Sequence, residues 1–297
     1  LHSPPYPRRP IGAHAPYTGG KAASALRHAA ATASEVIQIF AGNPRGWARP
    51  RTDPAQDAAL REQAGAAGMP VFVHAPYLIN VGSPDPLLAE RSAGALRHAL
   101  RRAREIGARG VVVHTGSATD GDRDAGLRRS ARLLLPLLDD LDRDSGTAGP
   151  CLLLEPMAGQ GHMLCGALVE LEPYLDALRW HPRAAVCLDT CHAFAAGHDL
   201  AADGSGVGPM LAALRAATRD PGGRLRLVHA NDSTDPCGSR RDHHANIGEG
   251  AIGLAPFREL LAHPMTEGVP FVVETPGGVR GHAADVAALR ALRGSPR

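Results

Sequence analysis

Lysine is almost missing from this chain: Lys21 is the only one among 297 residues, and arginine supplies every other basic charge. The formal net charge is only +2, so the protein is no polycation. Any nucleic-acid site must therefore depend on a local patch or on metal ions. Cysteine is sparse and odd in number: Cys151, Cys165, Cys187, Cys191 and Cys237 form no CxxC pair. Cys187 and Cys191 are four apart, which is not zinc-knuckle spacing, and no cysteine is read as in phase with the candidate ligands below. A structural thiolate site is not expected. With no signal-peptide pattern, a reduced cytoplasmic compartment is the simple expectation. No apolar run approaches the length of a membrane span, so no membrane partner is expected. No G-x-S-x-G elbow or P-loop is present, so neither a serine hydrolase nor an NTPase is supported and no nucleotide cofactor is expected.

What is present is a regular alternation. Short apolar, β-branched runs occur at Pro10–His14, Val36–Phe40, Val71–His74, Gly110–His114, Cys151–Glu155, Ala184–Asp189, Leu225–His229 and Pro270–Glu274. Between them lie alanine- and leucine-rich stretches of helical spacing, such as Pro86–Ile106, Asp124–Arg143, Leu168–Arg179, Met210–Thr218 and Ala283–Arg293. Eight strands alternating with helices is the pattern of a closed parallel barrel, so the expected fold is α/β: one (β/α)8 TIM-barrel domain over residues 1–297. The linker at 145–150 is too short for a domain boundary. The polar stretch Thr234–Gly250 reads as one long functional loop. The arginine-rich segments Arg97–Arg104 and Arg128–Arg132 read as outer, solvated helix faces.

The ends of the runs carry the chemistry. The third ends at His74, the fourth at His114, the fifth at Glu155, the sixth at Asp189 with His192 one turn later, the seventh at His229 and the eighth at Glu274. In a parallel barrel these C-terminal ends converge on one mouth. A single histidine or carboxylate there is ordinarily a surface group or a helix cap; the whole set in phase is not. Mixed imidazole and carboxylate donors suit zinc, manganese or iron. Asp242 and His244, from the long loop, join His192 to give a further donor set. Nine candidate ligands are too many for one ion, so two or three ions sharing a bridging carboxylate are expected. The remaining histidines, among them His28, His98 and His282, fall out of phase and read as surface or local structural residues.

Several stretches resemble the endonuclease IV family: IGAH at 11–14 with GGK at 19–21, HAPYLIN at 74–80, AGQG at 158–161, LDTCHAFAAGHDL at 188–200, VHANDS at 228–233 and NIGEG at 246–250. The resemblance covers essentially the whole chain. It implies three zinc ions, with manganese an alternative occupant of one site. One ion is expected on His74, His114 and Glu155, and a second on Glu155 as bridge with Asp189, His229 and Glu274. The third is expected on His192, Asp242 and His244. His14 ends the first run but the resemblance gives it no metal, and His243 stands where the family usually has arginine. Arg240 and Arg241 beside it are compensating charges or plain solvated ones. Tyr77 and Leu78 match residues inserted into the duplex, and Arg45 and Trp47, in NPRGW, match a second DNA-contacting loop. Trp47 reads equally as an anchor of that loop.

The resemblance further implies a zinc-dependent DNA repair endonuclease that hydrolyses the phosphodiester 5′ to an abasic site. Its products would be a 3′-hydroxyl and a 5′-deoxyribose phosphate, with Glu155 positioning the nucleophilic water. Double-stranded DNA with abasic sites is the expected partner, and a nucleoid-associated monomer is expected. Two other readings use the same residues. A xylose-isomerase-like sugar isomerase or epimerase would need only Glu155, Asp189, His229 and Glu274. A damage-binding protein that has lost catalysis would not need an intact ligand set.

Overall fold

In the computed structural model, which describes residues 9–16, 22–48, 52–145, 149–202 and 206–294, the apolar runs form one closed sheet. Its strands are β1 (Ile11–His14), β2 (Ile37–Phe40), β3 (Val71–His74), β4 (Gly110–His114), β5 (Cys151–Glu155), β6 (Ala184–Asp189), β7 (Leu225–His229) and β10 (Phe271–Val273). Neighbours pair in parallel around the circle, and β1 closes it against β10 through Ile11–Phe271 and Ala13–Val273. The expected barrel of eight strands is what forms. The last strand stops at Val273, so Glu274 stands just past its end.

Alternation along each strand separates two cores. Val36, Phe72, Val112, Leu153, Ala185, Cys187, Leu227 and Val272 pack together as the filled lumen. The intervening residues, such as Val71, Val73, Val111, Leu152, Leu154 and Val228, meet the outer helices. The register between β6 and β7 shifts between Val186 and Cys187, after which Cys187 pairs with Leu227 and Asp189 with His229. That irregularity keeps the inward residues of the two strands in step at the mouth. At Gly12 the lumen has no room for a side chain: a Cβ there would lie 1.8 Å from the Val36 carbonyl oxygen.

The outer layer includes α1 (Ala22–Ala31), α2 (Pro54–Ala66), α3 (Pro86–Glu105), α4 (Arg123–Ser145), α5 (Leu171–Ala177), α6 (Thr190–Ala195), α7 (Val207–Thr218), α8 (Leu254–Ala262) and α9 (Gly278–Gly294). Helices α2 and α3 start alike: Asp53 and Asp85 accept hydrogen bonds from the second and third residues beyond them, with Pro54 and Pro86 at the first helical position.

Three expectations need correction. Leu168–Arg179 is not one helix, because a 3-10 turn at Leu168–Glu170 precedes α5. The loop 234–250 is not wholly irregular, since β8 (Asp232–Ser233) and β9 (His244–Ala245) pair antiparallel within and beside it. Arg102 does not face water: it is buried and forms a two-pronged ion pair with Asp57 of α2, which ties α2 to α3. The GGK stretch at 19–21 lies outside the described residues.

Candidate metal centre

The strand ends bring seven segments to one mouth. Atoms of His74, His114 and Glu155 lie within 4.8 Å of one another, as do those of Glu155, Asp189, His229 and Glu274, and those of His192, Asp242 and His244. All nine sequence candidates thus fall into three groups, two of which share Glu155. Glu155 is fully buried, with Oε2 3.3 Å from His74 Nε2 and 3.5 Å from His114 Nε2. Its other oxygen, Oε1, lies 2.8 Å from His229 Nδ1 and 3.6 Å from His192 Nδ1.

Three of the histidines share one design. His74 Nδ1 donates to the Ala75 carbonyl at 2.7 Å, His192 Nδ1 to the Pro156 carbonyl at 3.0 Å and His244 Nδ1 to the Glu274 carbonyl at 3.3 Å. In the neutral, metal-binding form each anchored nitrogen holds the ring's one hydrogen, which leaves Nε2 as a lone pair aimed at carboxylates. His192 Nε2 and His244 Nε2 lie 3.1 and 3.0 Å from the two oxygens of Asp242, yet both are buried with no hydrogen-bond partner. Lone pairs turned on anions repel unless a cation stands between them, so this donor set fits divalent metal ions.

Electrostatics expresses the same opposition. Burial works against charge on His229, but the neighbouring Cys187 thiol and the carboxylates of Glu274 and Glu155 outweigh it and raise its pKa well above the usual imidazole range. His192 is likewise raised against its burial, by Asp189 and Asp242. His244 reaches about 9, where the neighbouring carboxylates of Asp242 and Asp189 overcome burial. His114 goes the other way, to about 4, because burial outweighs the pull of Glu155. Burial would push Glu155 up, but the charge and hydrogen bond of His229 hold it well below the normal carboxylate range.

Several contributors were not singled out from sequence. Gln38, fully buried on β2, accepts from His229 Nε2 at 2.9 Å and donates to Glu274 Oε1 at 2.7 Å. A lone amide inside the apolar run IQIF was the available signal. Asn231 donates to Asp189 Oδ2 at 2.7 Å and accepts from the Glu274 backbone at 2.8 Å. Asp232, also fully buried, accepts five backbone N–H groups, from Ser233, Gly248, Gly250, Ile252 and Gly253. A side chain at Gly250 would not fit there, since its Cβ would lie 2.5 Å from Asp232 Oδ1. The expectation that no cysteine shares the phase of the ligands is wrong. Cys187 stands two residues before Asp189, faces the lumen and has its thiol within 4.8 Å of Glu155 and His229 donor atoms.

At the rim, Tyr77 is 46% exposed and stacks on His114 with ring centroids 5.7 Å apart, edge-on to His74 and Phe40. Leu78 beside it is half-buried. Arg45 is exposed, while Trp47 is half-buried and packs on the outer core, as an anchor does. His243 is exposed and bonds Asp235 Oδ2 at 2.7 Å, with Arg241 at 3.4 Å from the same carboxylate group. All five cysteines are free, and no helix among the described residues is long and apolar enough to cross a membrane.

A closed parallel barrel whose mouth carries three His/Glu/Asp groups able to hold metal ions has the form of the xylose-isomerase-like class, and the family model described as "Xylose isomerase-like TIM barrel" matches residues 26–292. The "Probable endonuclease 4" of Streptomyces coelicolor is 53% identical over 288 residues, covering 97% of this chain and 96% of that protein. The crystal structure of endonuclease IV from Thermus thermophilus superposes with a TM-score of 0.81 at 33% identity, covering 95% of this chain and 98% of the other. A D-tagatose 3-epimerase-like protein superposes with a TM-score of 0.71 at 18% identity, covering 95% of this chain and 96% of the other, which shows a shared fold alone. The chain belongs to the endonuclease IV family of AP endonucleases, hydrolases of DNA repair.

Proposed function

We propose that this protein incises double-stranded DNA at abasic sites, hydrolysing the phosphodiester on the 5′ side and leaving a 3′-hydroxyl and a 5′-deoxyribose phosphate. The observation that carries the reading is the orientation of four histidines: His74, His192, His229 and His244 are each anchored at one nitrogen and turn the other on a carboxylate. His74, His114 and Glu155 would hold one zinc ion, and Glu155, Asp189, His229 and Glu274 a second. His192, Asp242 and His244 would hold a third, with manganese an alternative at one site. When bound, such ions polarise the phosphate, lower the pKa of the attacking water and neutralise the departing oxygen.

The chain's own groups do the rest. Glu155, through its two oxygens, fixes the spacing between the first two groups. Tyr77 presents a ring at the pocket mouth that can stack where a lesion leaves the duplex without a base, with Leu78 as its apolar neighbour. Arg45 and the Trp47 loop supply phosphate contact at the rim. An abasic nucleotide is already unstacked, so no base-reading code is required and a net charge of +2 suffices. We further propose a single-domain, cytoplasmic monomer that lays one barrel face on the nucleoid.

The test is incision of a duplex carrying one tetrahydrofuran abasic analogue, in EDTA-free buffer without added magnesium, compared with the Glu155→Gln protein. Incision 5′ to the analogue by wild type alone is expected. No incision by protein shown to hold its metals overturns the reading. A metal content of one or two ions per chain with turnover of sugars would instead favour the isomerase chemistry of the Glu155, Asp189, His229 and Glu274 group.

A further inference from the structure

We infer that Gln38 is the positioning residue of the second donor group, setting the tautomer of His229 and the orientation of Glu274; this rests on the metal-binding reading above. Gln38 lies in the middle of β2 and is wholly buried. Its amide is held at both ends. Oε1 stands 2.9 Å from His229 Nε2, and Nε2 stands 2.7 Å from Glu274 Oε1.

The sense of the amide follows from its partners. A carboxylate oxygen only accepts, so the amide NH2 faces Glu274 and the carbonyl faces His229. A carbonyl also only accepts, so His229 Nε2 carries a hydrogen. An imidazole that holds a metal ion is neutral and has one N–H, so in that form Nδ1 is left as the lone pair. Nδ1 is the atom that faces the group, 2.8 Å from Glu155 Oε1, 3.2 Å from Glu274 Oε2 and 3.8 Å from Asp189 Oδ2.

Glu274 is oriented by the same device. His14 Nδ1 lies 2.8 Å from Glu274 Oε1 and 3.0 Å from the Gln38 NH2. Both donors converge on that one oxygen, and a proton on His14 Nδ1 lets it donate there beside Gln38. With Oε1 taken twice, Oε2 is the oxygen left toward His229 Nδ1. Residues at the ends of β7 and β10 are thus aligned from β2, which supplies no candidate ligand itself.

His229 differs here from its neighbours. His74, His192 and His244 are anchored by backbone carbonyls, which any sequence offers. His229 is anchored by a side chain, so a substitution can remove the anchor and leave the backbone alone.

The experiment uses the zinc-loaded full chain and its Gln38→Met variant, which has similar volume but no donor and only a weakly accepting sulfur at that site. Nitrogen-15 histidine spectra read the tautomer of His229, and chelator competition reads zinc retention. Wild type should show His229 with hydrogen on Nε2. The variant should release one zinc of the set about 10- to 100-fold more readily, while the other ions hold as before. Equal retention in the two proteins overturns the inference. So does a wild-type spectrum with hydrogen on His229 Nδ1, a measurement that needs no variant and stands if Gln38→Met fails to fold. Wild type that binds no zinc overturns the metal-binding reading itself.

Discussion

Asp232→Asn makes a severe test of how the long loop is held. Asp232 is fully buried, and its two oxygens collect N–H groups from Ser233 at 2.8 Å, Gly248 at 3.0 Å, Gly250 at 3.2 Å, Ile252 at 2.9 Å and Gly253 at 3.2 Å. Oδ1 serves Ser233 and Ile252, and Oδ2 serves the three glycines. Asparagine has one acceptor oxygen, so whichever way it turns, at least two buried N–H groups face an NH2. Each such orphan costs about 1–3 kcal/mol, so the loop loses at least about 2–6 kcal/mol if it stays in place. It can relieve that cost by opening locally. A local loss of about 2 kcal/mol is about a 30-fold rise in the open population. Hydrogen exchange over 246–253 should accelerate by at least that factor. Because Ser233 of β8 pairs with His244 of β9, zinc retention at the His192, Asp242 and His244 group should weaken too. Exchange unchanged in that segment, with a melting temperature within about 1 °C of wild type, would refute the reasoning, since about 2 °C is expected per kcal/mol lost in a chain of this size.

Three further outcomes follow from the same geometry. Arg102→Ala leaves the Asp57 carboxylate buried without its partner and should cost about 3–5 kcal/mol in urea denaturation, much of it recovered when Asp57 is also made apolar. His28, bonded to His282 at 3.0 Å, is lowered to about 4, first by burial and then by the charge of His282. The unfolded chain takes up that proton nearer pH 6.5, so unfolded protein binds more protons between about 6.5 and 4 and stability falls as pH falls through that window. Wild type should therefore lose more stability than His28→Asn between pH 7 and 5, and identical slopes of melting temperature would contradict this. Arg45→Ala should reduce the salt slope of abasic-duplex binding by about one unit and leave melting unchanged, whereas an unaltered slope would remove Arg45 from the DNA contacts.

The barrel was legible because each strand is flat and apolar and most end on a polar residue of one parity. The grouping of the nine candidate donors was legible for the same reason: His74, His114, Glu155, Asp189, His229 and Glu274 mark strand ends, and the motifs around His192 and Asp242 supplied the others. What stayed hidden is what depends on distance between segments far apart in the chain. Gln38 and His229 are separated by 191 positions, and nothing local to IQIF says that its amide faces a histidine. Arg102 sits among arginines that do face water, and only the approach of α2 with Asp57 turns it inward. Cys187 was missed by reading the strand end and not the residue one pleat below it. The β8–β9 ribbon has only two residues per strand, too short for any alternation to register.

The donors also have an order in time. Chain synthesis runs from the amino end, and the His74, His114 and Glu155 group is complete in sequence once residue 155 has been added. The group with Asp242 follows at His244, and the one that shares Glu155 with His229 waits for Glu274, just beyond the strand that closes the sheet against β1. A ribosome-bound chain that stops short of that point therefore has an open sheet and an incomplete second group, however well its earlier strands have paired. Closure of the barrel and completion of that group therefore depend on the same stretch of chain, Phe271 to Glu274.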